Sequence, residues 1–165
     1  MAWDTARTRQ ALLYQYFGNK EKLFGHVLEA ELDRIATTIP ITVEQAADLG
    51  DYAGRLYDYH RSRPQFIRLL HWEGLRDKGA PALKEPERTV TYGARVEAHA
   101  QAQSDGTLGP TLDPRALFYA VLALGAWWFS VPQAVRMIFG GEQRPETERD
   151  ALIALVRRLA GQGDR

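Results

Sequence analysis

The chain has 165 residues, 45% of them apolar and 25% charged, which suits one soluble globular domain, or one domain with a small appendage, able to bury a sizeable core. It contains no cysteine, which excludes disulfides and thiolate metal sites. Its 21 basic side chains balance 21 acidic ones, and a chain without basic excess is not expected to grip nucleic acid strongly by itself.

The pattern along the chain is helical throughout. Val, Ile and Thr do not gather into alternating runs, and apolar residues recur at spacings of three and four. Residues 1–10 are polar and lack the basic and apolar pattern of a signal peptide. A first helix is expected near 6–16, stopped by Phe17-Gly18 and followed by the N-capping Asn19. The next should run over about 20–38, with Phe24, Leu28, Leu32 and Ile35 on one stripe, and end before Pro40. Thr42 with Gln45 forms a capping box that opens a helix reaching about residue 61, its stripe running from Leu49 through Tyr52, Leu56 and Tyr59 to His60. Ser62 with Gln65, and Pro64 in the first turn, open another to about 78.

Gly79-Ala80-Pro81 breaks the chain, a helix follows over about 87–103, and Asp105-Gly106 ends it. Asp113-Pro114 starts a long apolar helix that Pro132 should kink or break before Gly140-Gly141. Residues 116–135 carry no charge and approach membrane-spanning length, but Ser130, Pro132 and Gln133 near one end favour a core helix. The last helix, about 145–160, places Glu146, Glu148 and Asp150 at its positive end and Arg157 and Arg158 at its negative end. About eight helices result, and the fold class is all-α.

No enzyme signature is present: Ser62, Ser104 and Ser130 lie in no nucleophile elbow, and the four histidines form no metal-binding pair. Glu73 and Asp77 share a helix face, which reads as a solvated face rather than a catalytic pair. No cofactor is expected, and no metal. A small-molecule pocket needs apolar walls with a few inward polar groups. The candidates are His60, Phe66, Leu70, His71, Tyr92, Val96, His99 and Trp127, drawn from several amphipathic helices, and the expected ligand is mainly apolar. The 113–131 helix is apolar all round and so needs cover on both sides. A second copy of the chain supplies that cover if Leu117, Val121, Leu124 and Trp128 join the seam Leu152, Leu155, Val156 and Leu159 in a homodimer interface.

The string Leu13-Tyr14-Gln15-Tyr16-Phe17-Gly18-Asn19-Lys20-Glu21-Lys22-Leu23-Phe24 resembles the junction between the recognition helix and the fourth helix of the tetracycline-repressor (TetR) family. The resemblance implies a TetR-like helical ligand-binding and dimerisation domain over residues 25–165, with residues 1–24 a remnant of the helix-turn-helix head. It implies a bacterial, cytoplasmic transcription regulator, a repressor or activator that a small, largely apolar effector releases from duplex operator DNA, with no membrane partner. DNA contacts would fall on Gln10, Tyr14, Tyr16 and Lys20, since a helix N-terminus, lysines and tyrosine hydroxyls all suit phosphate. The family carries two further helices, roughly thirty residues, before this junction, and Arg7-Thr8-Arg9 stand where a Gly-Val-Ser type turn belongs. Operator binding is therefore expected only with a complete head. The residues leave open a second reading, a stand-alone helical ligand-binding and dimerisation module.

Overall fold

The computed structural model describes residues 15–40, 42–76, 79, 81–140 and 144–162. Among these it contains eight helices and no strand: α1 (Lys20–Thr38), α2 (Val43–Ala46), α3 (Leu49–Ser62), α4 (Pro64–Arg76), α5 (Glu85–Ser104), α6 (Pro114–Ser130), α7 (Pro132–Phe139) and α8 (Pro145–Leu159). The all-α expectation holds. The expected helix near 6–16 lies outside the described residues except for its last turn, which ends at Gly18 in a left-handed conformation.

Local capping follows the sequence closely at most starts. The Asn19 side chain accepts from Lys22 N–H at 2.9 Å, and Asp113 Oδ1 accepts from Arg115 and Ala116 N–H. Thr42 and Gln45 form the reciprocal capping box, but it opens only the single turn α2. The expected continuous helix from 42 to 61 is in fact two, because Asp48 caps a new start and its carboxylate accepts from Asp51 N–H. Ser62 does not cap α4: its hydroxyl donates back to Tyr59 O at 2.8 Å, so it belongs to the end of α3. The helix expected from 87 begins two residues earlier, with Pro86 in its first turn.

The core is centred on α3, whose Leu49, Tyr52, Ala53, Leu56 and Tyr57 are sealed from solvent. Each large side chain so buried contributes about 1.5–3 kcal/mol. Helix α8 makes the most extensive contact with α3 of any helix pair among the described residues. The approach is possible because Gly50 and Gly54 stand one turn apart on the contact face, where the side chains of Arg157, Arg149 and Ile153 fill the space a Cβ would take. The same face is strapped by polar contacts: Asp48 accepts from Arg157, Asp58 from Arg149, and Tyr57 Oη donates to Glu148 at 2.7 Å.

Helix α6 packs Leu117, Phe118, Val121 and Gly125 inward, and Gly125 lets Leu56 approach closely. Within the subunit only one side of this apolar helix is covered. Ala116, Tyr119, Ala123 and Trp127 recur at helical spacing and form an exposed stripe. Beyond it the chain turns by 87° into α7 at Val131-Pro132, the break that Pro132 was expected to make. Among the described residues no single helix is long and apolar enough to cross a membrane.

Candidate functional site

Between α1 and the body of the molecule lies a cavity of about 340 Å³, within the roughly 300–1,000 Å³ typical of small-molecule pockets. Its apolar wall is assembled largely from four helices: Leu32 and Ile35 of α1, Leu56 of α3, Phe66, Ile67 and Leu70 of α4, and Leu122 and Ala126 of α6 close most of it. Helix α5 supplies the remaining wall and nearly all the polarity, through Glu87, Arg88, Thr91, Tyr92 and Arg95, with Lys84 just ahead of its first turn. The stripe Leu28, Leu32 and Ile35 explains why α1 faces this space, since the same periodicity that buries Leu28 carries the next turns to the cavity edge.

Of the sequence candidates, the structure brings His60, Phe66, Leu70 and Tyr92 together around this cavity. His60 is buried, stacked on Phe66 at 5.9 Å between ring centroids, and tilted against Phe129. Burial pushes its pKa down to about 4, so the imidazole is neutral at pH 7. Its Nδ1 is buried without a hydrogen-bond partner among the described residues. A polar atom left so is uncommon in a folded protein and marks a place for a ligand or water.

The other four candidates lie elsewhere. His99 is fully buried behind the cavity, its Nδ1 2.6 Å from Arg95 O and its ring against Phe118. His71 is exposed and meets the Ser130 hydroxyl at 3.3 Å. Val96 is half-buried on α5 outside the lining, and Trp127 is 59% exposed on the outer stripe of α6. Helical periodicity alone could not separate these, because a residue 100° away on the wheel faces the core in one helix and solvent in another.

The residue the sequence reading passed over is Arg95. It is only 8% exposed, lines the cavity, and no described residue makes a hydrogen bond or ion pair to its guanidinium. The signal was present: Arg95 sits three after Tyr92 and four before His99, on the face already singled out. Neighbouring cations are differently placed. Arg88 Nη1 lies 2.7 Å from Glu73, whose other oxygen accepts from Leu83 N–H, so Glu73 is a strap rather than half of a carboxylate pair. Lys84 is held by Glu29 and Asp33 of α1. Near Arg95, burial pushes the Tyr52 hydroxyl's pKa up while the Arg95 and Arg55 charges pull against it. That hydroxyl is also buried without a hydrogen-bond partner.

The residues expected to contact DNA are only partly described. Gln10 and Tyr14 lie outside the described residues. Tyr16 and Lys20 are both exposed, at the end of the first helical turn and the start of α1. Of the residues assigned to a dimer interface, Leu117, Val121, Leu152 and Val156 are spent inside the subunit, and Leu124, Trp128 and Leu159 are half-buried against its core. Only Leu155, at 45% exposure, opens to solvent. Near that residue, apolar surface is left open on the α6 stripe of Tyr119, Ala123 and Trp127 and at Ala151, Ala154 and Leu155 of α8, with further exposed apolar side chains on α7 at Met137, Ile138 and Phe139.

Comparison with known proteins decides the family. The profile of a family described as tetracyclin repressor-like, C-terminal domain, matches residues 48–158. The chain belongs to the tetracyclin repressor-like family. The match begins at the Asp48 cap of α3 and takes in most of α8, so it covers the core, the α5–α6 side of the cavity and the exposed α6–α8 face. The HTH-type transcriptional repressor SCO4008 of Streptomyces coelicolor is 32% identical over 155 residues, which cover 93% of this chain and 79% of the repressor. The HTH-type transcriptional repressor NicS of Pseudomonas putida is 31% identical over 97 residues, 55% of this chain and 44% of its own length. In three dimensions the fold superposes on a putative transcriptional regulator from Streptomyces coelicolor, SCO4942, with a TM-score of 0.74 at 26% identity. The alignment covers 90% of this chain and 78% of that one. The all-helical body of the family is thus the fold of this chain.

Proposed function

We propose that this chain is the body of a ligand-responsive transcriptional regulator that acts as a homodimer on operator DNA when its helix-turn-helix head is complete and is switched by a small molecule in the α1–α5 cavity. The observation that carries the reading is the position of the cavity. Leu32 and Ile35 of α1 line it, and the same helix begins at Lys20, directly after the string that resembles the family's recognition-helix junction. A helix of 19 residues is about 28 Å long, so a shift imposed at the cavity end reaches the DNA-proximal end as a rigid tilt. Such coupling requires the ligand to favour one arrangement of α1 over another, and the polar straps on α1 are the contacts that would differ. Besides Lys84, these are Arg76 to Glu21 and Arg63 to the buried Glu31. The expected division into residues 1–24 as head remnant and 25–165 as body is part of this proposal. The relatives named as HTH-type transcriptional repressors support it.

Dimerisation in this reading uses Tyr119, Trp127 and Leu155 rather than the buried leucine seam. Leu155→Glu should yield a folded monomer by light scattering, because its site is open on the free subunit. Leu152→Glu, with its site sealed in the core, should unfold the chain instead. Retention of a dimer by both Leu155→Glu and Trp127→Glu would move the interface elsewhere. The function is tested by gel shift of a chain carrying a complete helix-turn-helix head against duplex DNA from the promoter beside its gene. Sequence-specific binding that a cavity ligand weakens supports the reading. Binding unaffected by Ala126→Phe, which fills the cavity, and by every ligand leaves DNA binding standing and removes the switch.

A further inference from the structure

Resting on the cavity reading above, we infer that the ligand is an amphipathic organic anion, a carboxylate on an apolar body of about eight to twelve heavy atoms, whose charged end docks on Arg95. The molecule holds a buried cation with nothing to pair it. Arg95 is nine-tenths or more buried, and the described residues offer its guanidinium neither a hydrogen bond nor a carboxylate. An uncompensated buried charge is strongly destabilising, and an arginine cannot relieve the cost by losing its proton. A group retained at such a cost is suited to a partner that arrives from outside, and Arg95 lines the cavity.

The surroundings favour an anion over other ligands. Three cations, Lys84, Arg88 and Arg95, line the cavity against two carboxylates, Asp33 and Glu87. Lys84 holds Asp33, Arg88 is held by Glu73 behind the lining, and Glu87 stands exposed. Arg95 is therefore the cation whose fork remains open, and a guanidinium matches a carboxylate with two parallel hydrogen bonds. The Tyr52 hydroxyl, buried without a partner behind the lining and within electrostatic reach of Arg95, brings no competing negative charge. The neutral His60 brings no competing charge. Its orphaned Nδ1 faces the same need for a partner as a ligand's polar substituent would. The remaining wall of Leu32, Ile35, Phe66, Ile67, Leu70 and Leu122 takes an apolar body.

The test is isothermal titration of the full chain with octanoate, octanamide and octyltrimethylammonium, which share a tail and differ in head charge. Octanoate should bind at least about tenfold more tightly than octanamide, the ammonium compound should bind least, and Arg95→Met should erase the preference for octanoate while leaving octanamide affinity within about threefold. Arg95→Lys keeps the charge without the fork and should retain part of the preference. In the absence of any ligand, Arg95→Met should raise Tm by about 2–4 °C, since an unpaired buried charge is removed. An octanoate preference that survives undiminished in Arg95→Met overturns the inference. So does equal binding of the acid and the amide, or preference for the ammonium. If the amide binds as well as the acid and Ala126→Phe abolishes both, the anion inference fails and the cavity reading stands. If none of the three probes binds the unaltered chain, or if Ala126→Phe leaves their binding unchanged, both fail.

Discussion

The two sides of the molecule are built on opposite principles, although α3 belongs to both. On the α3–α6–α8 side, glycines are packing devices: Gly50 and Gly54 each sit where a neighbouring side chain occupies the Cβ position, and Leu56 lies in contact distance of the position a Cβ would take at Gly125. On the α1–α4–α5 side, Gly25, Gly74 and Gly93 lie inside helices with nothing within 4 Å of a would-be Cβ. A helix-interior glycine without a packing role costs about 1 kcal/mol relative to alanine. The first side is a scaffold held by close approach and sealed leucines. The second encloses the cavity, is closed largely by ion pairs at its margins, and carries three helices each weakened at one point. Elements of low local stability are those from which moving parts are drawn, and the unpacked glycines place α1, α4 and α5 nearer that end than α3 and α8.

The comparison breaks most readily at single leucines. Leu152→Ala on α8 removes a side chain that is 1% exposed in a tight interface, and should cost about 2–5 kcal/mol of unfolding free energy in denaturant melts. Leu70→Ala on α4 deletes a half-buried side chain that already borders an open cavity, so little new void is created. Its cost should be about 1–2 kcal/mol. Equal losses for the two would mean that the sides do not differ in packing.

Acid sharpens the contrast from within the cavity. The folded-state pKa of His60 is lowered to about 4 by burial, whereas the unfolded chain titrates near 6.5. Between these values the unfolded state binds the extra proton, so stability is full above about pH 6.5 and falls as the pH drops toward 4. The loss over that window is roughly 3 kcal/mol. His60→Leu should flatten the decline between pH 7.5 and 4.5. His99 keeps its own share, since burial also lowers its pKa despite the opposing hydrogen bond to Arg95 O. The carboxylate of Asp48, held low by Arg157, acts on the same side of neutrality but only below its ordinary range near 3.8. A variant with the same slope as the parent would place the acid sensitivity outside the cavity.

The sequence made the scaffold more legible than the cavity for a physical reason. Helix starts are local chemistry: Asn19, Thr42 with Gln45, and Asp113 before Pro114 each announce a cap that the backbone then uses. The Asp48 cap was equally local, and was passed over only because the apolar stripe reads through it. Which face of a stripe meets a neighbour is not local. Leu117 and Trp127 are both apolar residues of one apolar helix, yet the first is sealed in the core and the second is exposed. Arg95 illustrates the same limit from the polar side, since a charged residue on a buried stripe looks in sequence like a stem whose head reaches water. Only the packing of α5 against α2 and α6 puts that charge at a cavity wall.

The smallest effects test the two kinds of glycine directly, because the same substitution should change sign between the sides. Gly93→Ala in α5 meets open space, so the alanine gains helix propensity and should stabilise the chain by about 0.8–1 kcal/mol. Gly50→Ala gains the same propensity but places its Cβ 2.7 Å from both Cγ and Nε of Arg157. That contact lies in the middle of the arginine side chain, so Arg157 must swing away, and its paired hydrogen bonds to Asp48 at 2.9 and 3.3 Å go with it. Asp48 is the cap of α3, and its pKa is lowered chiefly by that arginine, so the displacement loosens the helix start as well as the α3–α8 seam. Overpacking costs about 1–3 kcal/mol, which exceeds the propensity gain and leaves a net loss. Thermal melts of the two single variants should therefore move in opposite directions from the parent. A rise in Tm for Gly50→Ala as large as for Gly93→Ala would show that the α3–α8 contact has slack, and the distinction between a tight scaffold and a looser half would fail at its closest point of approach.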